Sequence, residues 1–336
     1  VLAGVLLFAG GQLAADLFAA RSPYLRDPVY ADKITLLNLR GGQPSVLMVG
    51  TSRAAYGLHA GRLEQRLTAE LGRPVTAFNF AVPSTGPFFH LVYTRRLLDA
   101  GVRPDLLLVE VLPAQLVDRP ADPIEPRWIS GDRLWRDEVE LAARLGYPAA
   151  ALREGWRRSW LAPAYALRLP VLARLVPSWV PEALRQNWSR ITDEWGWGRC
   201  AFTQVTPELY RYGLENARSV YAGLLAEFRL GGPSCRALEE LLAVTKAHGV
   251  PTVLVLMPEG ADFRAFYPPD AGRVLGEYLS GLERRYGASL VDARRWVADD
   301  GFIDAHHLLA SGAAAFTDRL AREAVLTHLR PAGGRP

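Results

Sequence analysis

Val46-Leu47-Met48-Val49-Gly50-Thr51-Ser52-Arg53 is the stretch on which the reading of the chain turns. Four consecutive apolar residues mark a buried strand, and Gly50 permits a backbone arrangement that a side chain would forbid. Directly afterwards Ala54, Leu58, Leu63, Leu67 and Leu71 repeat at helical spacing, and Gly72 supplies a stop. Ser52 therefore falls where a strand hands over to a helix N-terminus. The first N–H groups of a helix lack intrahelical partners and favour negative charge. A serine there can serve as a nucleophile if a base reaches it from elsewhere. It can equally be the helix cap, the commoner use of serine at such a place.

The same strand-then-helix rhythm recurs outward from this point. Residues 75–80, 105–112, 251–257 and 289–292 read as further strands. Helical spacing follows at about 88–100, 234–248, 270–286 and 311–329, with Ser311 as a plausible cap of the last helix. Strands alternating with helices predict a parallel sheet covered on both faces. The expected fold is a flavodoxin-like α/β/α sandwich of three layers with a five-stranded parallel sheet. In such sheets ligands bind beyond the C-terminal strand ends. That rule gathers Ser52 and the loops at 81–87, from 113 onward, 258–267 and 299–312 at one edge.

The rhythm is interrupted between about 114 and 230, where helical spacing at 132–145, 148–160 and 206–228 replaces strands. Trp128, Trp135, Trp156, Trp160, Trp179, Trp188, Trp195 and Trp197 crowd this stretch. An inserted, mostly helical subdomain or lid is expected, its tryptophans forming a core. Stacking on sugar rings and amphipathic contact with a membrane surface are the functional alternatives. The expected organisation is an N-terminal segment (1–20), a first part of the α/β domain (21–113), the insertion (114–230) and a second part (231–330). Pro23, Pro28, Pro44 and Gly41-Gly42 make 16–44 a connector.

Composition narrows the classes. The net charge of +4 is spread along 336 residues, and no basic run with interleaved aromatics suggests nucleic-acid binding. Cys200 and Cys235 could form one bridge in an exported chain, though their spacing does not show that they meet. No Cys/His cluster suggests a structural metal. Val1 to Ala15 is uncharged and mostly apolar, and Asp16 ends the run. It reads as the remnant of a signal anchor, with the rest exported to the periplasm or cell exterior; an ordinary apolar helix packed on the domain is the other reading.

The second decisive stretch is Phe302-Ile303-Asp304-Ala305-His306-His307-Leu308-Leu309-Ala310-Ser311-Gly312. An aspartate and a histidine three apart in a loop can join carboxylate to imidazole. The carboxylate then fixes the ring tautomer, and the other ring nitrogen can take a serine proton. Gly50-Thr51-Ser52 resembles the first block of the SGNH (GDSL-like) hydrolases, and Asp304-Ala305-His306-His307 with Gly312 resembles their last block. The likeness covers roughly 45–113 and 240–325. It implies Ser52 as nucleophile, His307 as base and Asp304 as its orienting partner, with His306 the competitor for the base. It also implies an oxyanion donor in the loop after the second strand, where Ser84 falls at the spacing of the family glycine and Gly86 follows. The backbone N–H of Ser52 would be another donor.

The chain departs from that family after the third strand. The family pattern there is Gly-x-Asn, whose asparagine donates to the oxyanion. This chain has Glu110-Val111-Leu112-Pro113-Ala114-Gln115. Either Gln115 or a residue of the insertion substitutes, or activity is weak or absent. The arrangement resembles a divergent, membrane-anchored branch associated with O-acetylation and D-alanylation of bacterial cell-surface polysaccharides. Arg53, Glu259 and Arg264, with His306, are candidate substrate contacts; the ordinary role of Glu259 and Arg264 is a surface ion pair, and that of Arg53 is a solvated side chain. Asp292 reads as a strand-end cap, and His59, His90, His248 and His328 have no partner motif. The resulting expectation is an exported serine acyl esterase or O-acyltransferase, needing no metal or organic cofactor, that acts on an acyl ester or glycan. A catalytically impaired binding or assembly subunit of a membrane acyltransferase or polysaccharide export system is the alternative. A lipase-like enzyme at the bilayer is a third.

Overall fold

A computed structural model of the chain describes residues 2–21, 26–119, 125, 129–181, 192–200 and 202–330. Trp128 and Trp188 lie outside these residues. In chain order the elements are α1 (Leu2–Arg21), α2 (Pro28–Leu39), β1 (Val46–Val49), α3 (Ser52–Gly57), α4 (Ala60–Leu71), β2 (Ala77–Asn79), α5 (Pro87–Asp99) and β3 (Leu106–Glu110). There follow α6 (Arg136–Arg144), α7 (Ala149–Leu161), α8 (Pro163–Ala166), α9 (Arg168–Leu175), α10 (Pro207–Ala226), α11 (Gly232–Ala247) and β4 (Thr252–Leu256). The chain continues through α12 (Ala261–Arg264), α13 (Ala271–Tyr286), β5 (Ser289–Asp292), α14 (Ala310–Leu320) and α15 (Leu326–Leu329), the last two joined by a π-helical turn.

The five strands form one parallel sheet in the order β2-β1-β3-β4-β5. This is the flavodoxin-like, three-layer α/β/α arrangement that the strand–helix alternation predicts. β1, β3 and β4 are buried along their whole length. They lie between helices, so both faces of each strand must be apolar. On one face Val46, Met48, Leu106, Leu108, Val253 and Val255 join Leu63, Leu67, Phe316 and Leu320 in a single core. On the other, α5 and α11 pack together over the sheet. β2 is an edge strand, and the backbone of the 192–198 turn covers it through Asn79 N–H to Trp195 O at 2.9 Å. Gly196 sits there at φ +78°, where an added Cβ would lie 2.3 Å from Asn79 O.

Two local expectations are corrected. The helix expected to run from Ala54 to Leu71 is broken, because Leu58 takes extended dihedrals and His59 caps a new helix by accepting from Arg62 N–H. The break lets Leu58 enter the core at 1% exposure. Ser311 does not cap the last helix; Leu309 occupies that position without a side-chain bond.

By contact density the chain falls into two compact units, Val1–Thr35 with Pro126–Ile191, and Leu36–Glu125 with Thr192–Pro336. The division differs from the expected 114–230 insertion: α10 and the 192–200 segment belong to the sheet-bearing unit. Trp195 and Trp197 pack there, Trp197 stacked on His59 at 4.0 Å. The other unit is helical, with Arg133 paired to Asp27 at 3.0 Å and α7 pressed against Gly131. Among the described residues no helix is long and apolar enough to cross a membrane. Cys200 and Cys235 are both free thiols.

Candidate active site

Ser52 is the first residue of α3, but it is not the cap. Thr51 holds that position, its Oγ1 accepting from Arg53 N–H at 3.2 Å. Thr51 is in turn fixed by Glu110, whose Oε2 accepts its N–H at 2.6 Å and whose Oε1 accepts its hydroxyl at 3.0 Å. The Ser52 side chain is thereby released from capping. Gly50 is required because a Cβ there would lie 2.6 Å from both Ala54 Cβ and Glu110 Oε2. Close approach, not an unusual φ, is the reason for glycine.

The loop after β5 brings the partners. Asp304 Oδ1 accepts His307 N–H at 2.8 Å, and Oδ2 lies 2.8 Å from His307 Nδ1. One carboxylate thus fixes both the backbone and the ring of the same histidine. The opposite ring nitrogen, Nε2, is 2.8 Å from Ser52 Oγ. Two residues 255 positions apart meet at hydrogen-bond distance. Both carboxylate and imidazole are about one-fifth exposed, so the group faces solvent only in part. Burial alone would raise the Asp304 carboxyl, but the His307 ring and its hydrogen bonds outweigh this and hold it well below the usual carboxylate range.

His306 has a different environment. It is buried, stacked on Phe263 at 5.2 Å and met edge-on by Tyr221 at 5.5 Å. Burial, then the neighbouring His307, pushes its imidazole down to about 3. It is an apolar-shelf residue that supports His307, 4.1 Å away ring to ring, and it does not reach Ser52 by any described hydrogen bond. Ala305, between the two key residues, stands at φ +67° with its carbonyl accepting Gly260 N–H at 2.7 Å. That bond holds the loop in a conformation which an L-residue rarely adopts.

The candidate substrate contacts are placed otherwise. Arg53 is buried at 2% exposure; its Nη2 donates to Met257 O at 3.1 Å and Pro258 O at 2.9 Å and pairs with Glu259 at 3.4 Å. Glu259 is equally buried and accepts the Tyr267 hydroxyl at 2.9 Å. Glu259 thus forms an internal ion pair with Arg53 in place of the surface pair expected with Arg264, and neither Arg53 nor Glu259 is open to a ligand. Arg264 donates to the backbone carbonyls of Glu259 and Arg294. These side chains lock the β4 loop to the β1 turn. Gln115 is also committed: its amide donates to Thr85 O at 2.8 Å, bracing the loop after β2. Thr85 Oγ1 donates back to Gly50 O at 3.2 Å.

In that β2 loop Ser84 is exposed and takes φ +56°, a conformation that glycine adopts freely. Gly86 caps α5 by position alone, and the Glu125 carboxylate fills the space a Cβ would need. Asp292 does bond locally, to Arg294 N–H and guanidinium.

Several contributors escape sequence reasoning. Glu110 looks like a charge hostile to an oxyanion, whereas it anchors the serine turn. Gly213 of α10 lies so close to Asp304 that an added Cβ would be 2.5 Å from Asp304 Cβ. Tyr56 stands edge-on to His307 at 5.9 Å. Only the three-dimensional approach marks them. Asp304, His306 and His307 also place ligand atoms within 4.8 Å of one another, near enough to hold a cation at the expense of the His307–Asp304 bond. Phe302 and Leu309, which flank this loop, line an open cavity of about 710 Å³ with Tyr210, Arg211 and Asp300.

No protein-family model matches the chain, and no curated protein sequence matches it.

Proposed function

We propose that the protein is an SGNH-like serine acyl esterase or O-acyltransferase. The carrying observation is the continuous Ser52 Oγ–His307 Nε2 and His307 Nδ1–Asp304 Oδ2 pair of contacts, each 2.8 Å. His307 takes the serine proton as Oγ attacks an ester carbonyl, and Asp304 stabilises the imidazolium. The acyl-enzyme then passes its acyl group to water or to a sugar hydroxyl, and His307 returns the proton. Backbone N–H groups of Ser52 and of the Ser84–Gly86 loop serve the oxyanion. A polysaccharide of the cell surface is the acceptor, and the apolar α1 holds the enzyme to the membrane on the exported side, near a partner acyltransferase.

The test is a chromogenic acetate ester together with a serine-directed phosphonate. Ser52→Ala is expected to abolish labelling and to lower turnover by at least ~10³-fold. Undiminished turnover in that variant would reject the assignment.

One observation favours a second reading. At the end of β3 Glu110 only accepts, from Thr51, and in the turn after it the Gln115 amide donates to Thr85 O, so neither side chain takes the place of the oxyanion donor. Losing one such donor costs roughly 2.7–4 kcal/mol of transition-state stabilisation. A chain that binds glycan or a membrane acyltransferase without turnover fits that loss. Silence toward both ester and phosphonate, with retained binding to polysaccharide, would select it.

A further inference from the structure

Of the fifteen large hydrophobic side chains exposed among the described residues, twelve belong to the helical unit of Val1–Thr35 and Pro126–Ile191. Seven lie on α1, which is apolar and exposed around its circumference from Leu2 to Ala14 apart from half-buried Gln12. The other five are Trp160 (53% exposed), Leu161 (64%), Tyr165 (66%), Leu175 (73%) and Trp179 (74%), spread over α7, α8, α9 and the turn after it. The two groups adjoin: α8 packs on α1, and Ala164 N–H donates to Gln12 Oε1 at 3.2 Å. So much exposed apolar surface in one unit of a folded chain marks a contact face.

The chemistry of the second group identifies what it contacts. Segment 149–181 carries five arginines and one glutamate. Arg157 and Arg158 are exposed on α7, where they share Glu154 as ion-pair partner, and Arg168 lies over the Tyr165 ring at 3.6 Å. Tryptophan and tyrosine with arginine, on short helices, is the composition that settles at the boundary of headgroups and acyl chains. Protein interfaces also favour tryptophan, tyrosine and arginine, so the partner is identified by the charge balance and by the adjoining apolar α1. An excess of arginine over glutamate among exposed aromatics, next to an apolar helix, complements anionic lipid.

We propose that α7, α8 and α9, with the turn through Trp179, form a second membrane contact. It lies flat on an anionic bilayer surface next to α1. The proposal is independent of the serine chemistry, and its failure would leave that reading untouched.

The test uses the full chain with vesicles of phosphatidylcholine alone, or with phosphatidylglycerol added. Environment-sensitive probes are attached at Leu161→Cys, Trp179→Cys and, as a reference, Leu6→Cys, in a Cys200→Ser, Cys235→Ser background. Anionic vesicles should shift the probes at 161 and 179 to an apolar environment, and brominated lipid should quench them. The double variants Trp160→Glu/Trp179→Glu and Arg157→Glu/Arg158→Glu should weaken partitioning at least about tenfold with α1 intact, and added salt should act in the same direction. Circular dichroism checks that each variant folds. If the probe at 6 enters lipid while those at 161 and 179 stay in water, the proposal is overturned. Equal partitioning onto neutral vesicles overturns it as well.

Discussion

Ser52 owes its freedom to its neighbour. Thr51 does the capping, Glu110 holds Thr51, and the serine hydroxyl is left to His307. Asp304 performs two tasks through its two oxygens, fixing the His307 backbone and ring. Asp304→Asn keeps the volume but loses the charge and can bind the wrong tautomer. It should lower kcat in the ester assay by roughly 10⁴-fold with an unchanged circular dichroism spectrum. A loss below about tenfold would remove Asp304 from its role. Glu110→Gln is expected to act through position. It replaces an acceptor-only group, which takes both Thr51 donors, by an amide with one acceptor. Urea unfolding should show a loss of about 1.5–3 kcal/mol. In the remaining folded protein kcat for the proposed ester cleavage should fall more than KM changes, since the turn that aims Ser52 is loosened.

The elements show which sequence signals survive folding. β1, β3 and β4 lie inside the expected strands, because continuous apolar runs have no other stable place than a covered sheet, and β5 at Ser289–Asp292 coincides with its expected strand although it is a half-buried edge. Gly72 and Gly287 terminate α4 and α13 in the left-handed conformation, as their position in the pattern predicts. The break at Leu58–His59 is different. The apolar spacing runs straight through it, and only the pull of Leu58 into the core and the ring bond of His59 separate the two helices. α10 was legible as a helix but not as a support for Asp304. Its Gly213 is the point of contact, so Gly213→Val should push the helix or the carboxylate aside. The expected result is a fall of at least about tenfold in kcat/KM for the proposed ester cleavage, with far-UV circular dichroism retained, since misplacement of the proposed triad carboxylate is costly. Gly213→Ala should be milder in the same assay.

Across the whole molecule, stability should depend on two buried histidines. His90 is 2% exposed, with its ring against the Gly50 backbone and neither nitrogen in a hydrogen bond; burial lowers it to about 3. His306 is lowered to about 3 as well. Both are neutral when folded, whereas the unfolded chain takes up their protons below about pH 6.5. The sign follows: stability present above that pH is lost as pH falls toward 3, by about 1.4 kcal/mol per pH unit for each ring. Urea unfolding of His90→Leu between about pH 6 and 4 should show a slope shallower by one proton than the parent. Identical slopes would mean that His90 is protonated without cost. Removing an unpaired buried ring should also leave the variant at least as stable as the parent at pH 5.

What the sequence determined by itself was the α/β class, the five strands, their helices and the two short segments that meet. The class, strands and helices follow from local rules, apolar period and glycine stops, whereas the pairing of the two segments is what the resemblance to the SGNH hydrolases implies. What only the tertiary structure decided was how each polar side chain is used. Arg53 and Glu259 read as surface groups but form an internal pair, Glu110 reads as a hostile charge but anchors Thr51, and Gln115 reads as an oxyanion donor but braces Thr85. Period and propensity fix which face of an element is buried. The partner of a buried charge comes from another strand's loop, often a hundred or more positions away, and its identity exists only once the sheet has brought those loops to one edge.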